Sequence, residues 1–334
     1  MKRCLIYFSL GFVLLSCSTD DGKVDGYTAT PLELQIPQIF EDRILPPVIP
    51  ADNTLACAGC HSPANAFSDA RQFSVGIDGI EGTRNSMPLF NLAWNYNEMF
   101  FWDGRANSIE NQALEPVVDP IEMHNTWSEA ANSLQSDSEY PELFQQAFGT
   151  STIDSVLVTK AIAQFLRTLI SANSKFDRYL MGTAELSPEE QNGLNIFMDE
   201  NRGDCFHCHG NPNNPLWTDN IFHNNGLDES FTDRGRGAVT GDPREFGQFK
   251  SPSLRNLEFT APYMHDGRFQ TIEEVIDHYS EGLVYSETID PLMKKVAEGG
   301  VGLSAEDKAD LKAFLLTLSD PSFINNPDFQ DPNQ

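Results

Sequence analysis

Two segments of this 334-residue chain share one five-residue pattern, Cys57-Ala58-Gly59-Cys60-His61 and Cys205-Phe206-His207-Cys208-His209. Each is C-x-x-C-H. On a helical turn, positions i and i+3 share a face, so both thiols can reach the two vinyl groups of one porphyrin while the adjacent histidine takes the iron. With 6 cysteines and 7 histidines in the chain, chance matches are expected on the order of 10⁻³ to 10⁻² times per sequence. A redox dithiol or a four-cysteine zinc site would use the same thiols, but neither needs a histidine directly after each second cysteine. The chain therefore reads as one that attaches two covalent haem c groups through Cys57, Cys60, Cys205 and Cys208, with His61 and His209 on the irons.

The N-terminus agrees with where such haems are attached. Lys2 and Arg3 lead into an apolar run from Leu5 to Leu15, too short for a comfortable membrane span and typical of an export signal. Leu14-Leu15-Ser16-Cys17 resembles a bacterial lipobox, which makes residues 1–16 a lipoprotein signal peptide and Cys17 a lipidated N-terminus in the cell envelope. Residues 17–31 are polar and read as a flexible tether. Cys4 leaves with the signal, so no thiol is spare for a disulfide.

Charge limits the partners. The chain has 22 Lys and Arg against 49 Asp and Glu, a formal charge of −27. Such a surface repels phosphate backbones and excludes nucleic acid; it suits a basic protein.

Periodicity gives a mostly α fold with long ordered loops. Apolar residues recur at helical spacing between Asp154 and Ile170, at Val158, Ile162, Phe165, Leu166 and Leu169. Ser187-Pro188-Glu189-Glu190 and Thr271-Ile272-Glu273-Glu274 are capping boxes that open two further helices. Leu311, Phe314, Leu315 and Leu318 mark the last. One motif falls in each half, so two cytochrome c-like domains are expected, residues 32–182 and 183–334.

Beyond the haem motifs, the chain carries Phe101-Trp102-Asp103-Gly104-Arg105-Ala106, Gln112, Glu115-Pro116-Val117 and Pro120-Ile121-Glu122-Met123. After the second motif come Phe249-Lys250-Ser251-Pro252-Ser253-Leu254-Arg255-Asn256 and Thr260-Ala261-Pro262-Tyr263-Met264-His265-Asp266-Gly267. Together these strings resemble the bacterial di-haem cytochrome c peroxidase/MauG family over nearly the whole mature chain. The resemblance implies a peroxidatic N-terminal haem and a C-terminal haem that receives electrons. It implies Glu122 as distal acid/base, Gln112 and Pro116 as distal-pocket residues, and Trp102 as a π bridge between the haems. It also implies a calcium ion on Asn85 and the carbonyls of Thr260 and Pro262.

Two departures qualify the likeness. Many family members close the peroxidatic iron with a histidine from the loop after the first motif. Here that loop reads Phe73-Ser74-Val75-Gly76-Ile77-Asp78-Gly79, with Ile77 near the expected position; His124, beside Glu122, reads as a pocket-edge or surface residue. At the second iron, the place of a distal methionine falls on Tyr279, the MauG-like choice, with Met293 as the alternative. The leading expectation is a peroxidase reducing hydrogen peroxide with electrons from a small cytochrome c or cupredoxin. A MauG-like oxidase acting on a partner protein and a non-catalytic di-haem carrier are the alternatives. The oligomeric state, including a homodimer, is left open.

Overall fold

The computed structural model describes residues 57–329. The signal segment, Cys17, the tether and the start of the first expected domain lie outside them. The described chain is mostly helical, as expected. Its helices are α1 (Ile109–Val118), α2 (Trp127–Ser136), α3 (Tyr140–Phe148), α4 (Ser155–Thr168), α5 (Lys175–Leu180), α6 (Pro188–Met198), α7 (Phe206–His209), α8 (Arg236–Thr240), α9 (Ile272–Glu281), α10 (Ala305–Leu316) and α11 (Pro321–Ile324). Two short strands, β1 (Phe222–His223) and β2 (Phe249–Lys250), pair antiparallel, with Phe222 opposite Lys250.

Local sequence explains where helices begin. Asp154 caps α4, its carboxylate accepting from the Leu157 N–H, and Val158, Ile162 and Leu166 bury the expected stripe. Ser187 and Thr271 each close a full capping box with Glu190 and Glu274. Each such cap contributes about 1 kcal/mol.

The apolar stripes gather into two cores. The first joins α1, α2 and α4 around Phe67, Phe90, Ala130, Val158 and Leu166. The second joins α6, α9 and α10 around Phe197, Trp217, Ile276, Leu311 and Phe314. Full burial of each large apolar side chain stabilises by about 1.5–3 kcal/mol. α6 and α10 cross closely at Gly193, where an added Cβ would stand 2.0 Å from the Asp310 carbonyl oxygen.

The chain passes between the cores more than once. Phe176 of α5, ahead of position 183, belongs to the second core. Phe323 of α11, near the chain end, belongs to the first. Arg255, 2% exposed, reaches back to Asp177 with Nη1 and Nη2 at 2.8 and 2.6 Å from the two carboxylate oxygens.

Candidate functional site

Both C-x-x-C-H segments fold as single helical turns. Cys57–Gly59 is a 3₁₀ turn in which the His61 N–H donates to the Cys57 carbonyl at 2.8 Å. The His209 N–H donates likewise to Cys205 at 3.1 Å. Each turn carries its two thiols and its histidine as the sequence requires.

The histidines are oriented from behind. His61 Nδ1 lies 2.8 Å from the Phe67 carbonyl, and His209 Nδ1 lies 3.2 Å from the Pro252 carbonyl. A carbonyl only accepts, so both rings carry their proton on Nδ1 and offer an Nε2 lone pair, the tautomer an iron ligand needs. A matching pair of serines braces both turns. Ser86 Oγ donates to the Cys60 carbonyl at 3.2 Å, and Ser251 Oγ to the Cys208 carbonyl at 3.1 Å. Sequence reasoning passed over this pair, although Ser86-Met87-Pro88 and Ser251-Pro252 were the signal.

The first motif opens into a cavity of about 950 Å³, large enough for a porphyrin-sized ligand. Cys57, Cys60 and His61 line it together with Trp102, Gln112, Pro116 and Glu122. α1 explains the grouping. Ser108 caps it, and Gln112 and Pro116, four residues apart, share one face. Pro116 supplies no N–H of its own, but its carbonyl accepts from the Met123 N–H at 3.2 Å. That bond, with the Glu122 N–H on the Asp119 carbonyl at 3.1 Å, folds the chain back and brings Glu122 to the same wall. Burial, followed by the neighbouring Asp119 charge and opposed by Arg105, pushes the Glu122 carboxyl up from 4.5 to about 7.

Trp102 is 8% exposed at the seam between the two halves of the chain. Its indole N–H donates to the Asn85 carbonyl at 2.8 Å, and its own carbonyl accepts from the Lys250 N–H of β2 at 2.8 Å. Arg84 fastens the same seam, bonded to Asp103 and Asp233 at 2.6 Å each. Asn85 donates its backbone N–H to the His265 carbonyl at 2.7 Å, and its Nδ2 to the carbonyls of Arg71 and Gln72. Thr260 is buried, and Pro262 follows a cis peptide bond.

Cys205, Cys208, His209 and Tyr279 do not line this cavity. Tyr279, on α9, accepts from Asn225 Nδ2 at 3.0 Å. Burial raises its hydroxyl pKa well above the ordinary tyrosine value, Asn225 opposing, and the Cys208 and Cys205 thiols add to the rise. The phenol thus sits within the electrostatic reach of the second pair. Met293 occupies a turn in which its N–H donates to the Asp290 carbonyl at 2.9 Å. His124 points to solvent against Asp78 at 2.6 Å and does not line the cavity.

Known proteins place the chain in a family. The sequence model of the family described as di-haem cytochrome c peroxidase matches residues 38–185. The methylamine utilization protein MauG of Methylophilus methylotrophus is 35% identical, over 79% of this chain and 76% of that protein. The chain belongs to the di-haem cytochrome c peroxidase/MauG family. The cytochrome c551 peroxidase of Nitrosomonas europaea is 31% identical over 74% of this chain and 73% of its own length. The crystal structure of a MauG-like protein associated with microbial copper homeostasis superposes with a TM-score of 0.80 at 33% identity, covering 89% of this chain and 93% of that one. As a member of this family the chain is a di-haem peroxidase, an oxidoreductase whose cofactors are two haem c groups. The two thiol pairs and the two Nδ1-protonated histidines fit those groups.

Proposed function

We propose that this di-haem peroxidase reduces hydrogen peroxide to water at the N-terminal site, with electrons from a small basic cytochrome c or cupredoxin. The observation that carries the reading is Glu122 on the wall of the cavity that opens at Cys57, Cys60 and His61, its carboxyl raised to about 7. When bound, the haem iron supplies a Lewis acid and the electrons for O–O cleavage. Glu122 moves the proton from the near oxygen of peroxide to the far one, and two electrons and two further protons complete two waters. An acid/base with a pKa near neutrality is suited to both halves of that transfer. Gln112 and Pro116 shape the distal wall and hold peroxide and water. Trp102, at the seam, is the bridge for electrons arriving from the C-terminal half.

Acidity of the chain favours a basic donor through electrostatic steering. Residues 1–16 and Cys17 make it an envelope lipoprotein. Asn85 and the Thr260 and Pro262 carbonyls would hold a calcium ion, an all-oxygen set suited to a hard cation; the Asn85–His265 backbone bond brings these two segments together.

Tyr279 favours a second reading. A half-buried phenol within electrostatic reach of the second cysteine pair is the ligand expected of a MauG-like oxidase that oxidises residues of a partner protein. A non-catalytic carrier is disfavoured, since a carrier has no use for a half-buried acid in an open cavity. Peroxide consumption with a reduced cytochrome donor tests the assignment. Stoichiometric donor oxidation supports the peroxidase; peroxide consumed without donor oxidation points to the MauG-like reading; no consumption leaves only the carrier.

A further inference from the structure

The Phe67 carbonyl that accepts from His61 Nδ1 belongs to a residue in an unfavourable conformation. Ala66 and Phe67 are consecutive non-glycine residues in the left-handed region, at φ 50° and 60°. Part of what holds them is local. The Phe67 N–H donates to the Ser62 carbonyl at 2.8 Å, and the Ser62 N–H to the Ser68 carbonyl at 3.2 Å. The rest comes from far along the chain. The Phe67 ring, 0% exposed, meets Phe165 of α4 at 6.3 Å between centroids, Phe323 of α11 at 5.7 Å and Phe329 at 6.0 Å.

The terminal segment is itself anchored. Asp320, 2% exposed, accepts from the N–H groups of Ser322 and Phe323 through Oδ1 and from those of Ala172 and Asn173 through Oδ2. Phe323 and Phe329 also meet each other at 5.4 Å. The second site has a different arrangement. His209 finds its acceptor at the longer distance of 3.2 Å, on Pro252, whose ring fixes its own φ.

We propose that the segment from Pro321 to Phe329 is a positioning element for the N-terminal haem: Phe323 and Phe329 clamp Phe67 so that its carbonyl stays on His61 Nδ1 and keeps that imidazole electron-rich. A short bond from Nδ1–H to a carbonyl raises ligand basicity, which stabilises the oxidised iron and lowers its potential. The C-terminal end of the chain thereby tunes the N-terminal haem, and peroxide cleavage benefits from the richer ligand. The inference rests on His61 as iron ligand and not on Glu122.

The test uses full-length holoprotein carrying Phe329→Ala, with Phe329→Leu as the volume-restoring control. Each haem is titrated separately without peroxide, and the iron–histidine vibration of the reduced N-terminal site is recorded. Phe329→Ala is expected to raise the reduced-to-oxidised ratio of the N-terminal haem at fixed poise about threefold or more and to lower its iron–histidine frequency. The C-terminal haem stays unchanged, and Phe329→Leu recovers most of the difference. The vibration separates this effect from simple water entry, which leaves ligand basicity alone. Unchanged N-terminal potential and frequency in Phe329→Ala would overturn the proposal. Should Phe329→Ala lose haem, the milder truncation Phe329→Val is read in its place, a smaller shift in the same direction supporting the clamp and none refuting it. The iron–histidine vibration reads the His61 side alone and involves no proton relay, so a failure of the Glu122 acid/base assignment remains distinguishable.

Discussion

The backbone N–H of Ile77 donates to the carbonyl oxygen of Glu122 at 2.8 Å. The loop after the first cysteine pair is therefore fastened to the segment that presents the proposed acid. The loop is also closed on itself, with the Gly76 N–H on the Ile80 carbonyl and the Gly82 N–H on the Ser74 carbonyl, both at 2.9 Å. Only glycine fits at 76, where an added Cβ would stand 2.1 Å from the Ile121 carbonyl oxygen.

A loop so fastened, with Ile77 near the position where the family resemblance leads one to expect a histidine, offers no imidazole to the N-terminal iron. The oxidised protein is expected to show a high-spin component in its optical and electron paramagnetic spectra, and to react with peroxide without prior reduction. A wholly low-spin resting spectrum with a lag abolished by reduction would contradict this.

Stability in acid should depend on Asp177 and Arg255. Burial alone would raise the Asp177 carboxyl, but the two bonds from Arg255, helped by Ser174, outweigh it and hold it below its ordinary value. A depressed carboxylate contributes stability that is present above its unfolded pKa and lost as pH falls through the folded one. Asp177→Ala leaves the Arg255 guanidinium buried and unpaired, a loss of about 3–5 kcal/mol at neutral pH. Denaturant titrations should show that loss shrinking below about pH 4, where wild type weakens as well. A constant difference from pH 7 to pH 3 would rule out the pair as its source.

The envelope assignment rests on Cys17. Replacing it with alanine should release the protein from membranes while both haems stay covalently attached, so that intact mass still exceeds the polypeptide by two haems. Retention on the membrane would refute the lipid anchor.

The short motifs made the haem-attaching turns and two helix starts legible, because C-x-x-C-H and the two capping boxes act within a few residues of themselves. α1 carries Pro116 in its interior and α2 has few apolar residues, so neither displayed a stripe, though both are helices. Phe67, Ser86, Asn225 and the terminal Phe323 and Phe329 were illegible for a different reason. Their roles are contacts between segments far apart in the chain, and an ordinary serine or phenylalanine gives no local sign of what it will meet. The shared wall of Glu122, Gln112 and Pro116 was legible only through resemblance; its cause, the bond from the Met123 N–H to the Pro116 carbonyl, has no local sequence signal.

Glu122 provides the most direct test of mechanism. Burial and the Asp119 charge raise its carboxyl to about 7, with Arg105 opposing and Glu115 adding to the rise. A raised carboxyl favours the native state below its unfolded pKa, and that advantage is lost as pH climbs from about 4.5 through 7. Wild type should therefore lose stability relative to Glu122→Gln across that interval, since glutamine has no proton to lose. Activity runs the other way. The carboxylate must be free to accept the first proton, so kcat/KM for peroxide should rise with pH and level off above an apparent pKa near 7. Glu122→Gln keeps size and most hydrogen bonding but cannot relay a proton, so turnover should fall by about 10²–10⁴-fold and the inflection near 7 should vanish. Haem content and the oxidised spectrum should stay as in wild type, because His61 and its Phe67 acceptor are untouched. Near-wild-type turnover with the inflection retained would remove Glu122 from the mechanism and turn attention to Gln112, which lines the same cavity.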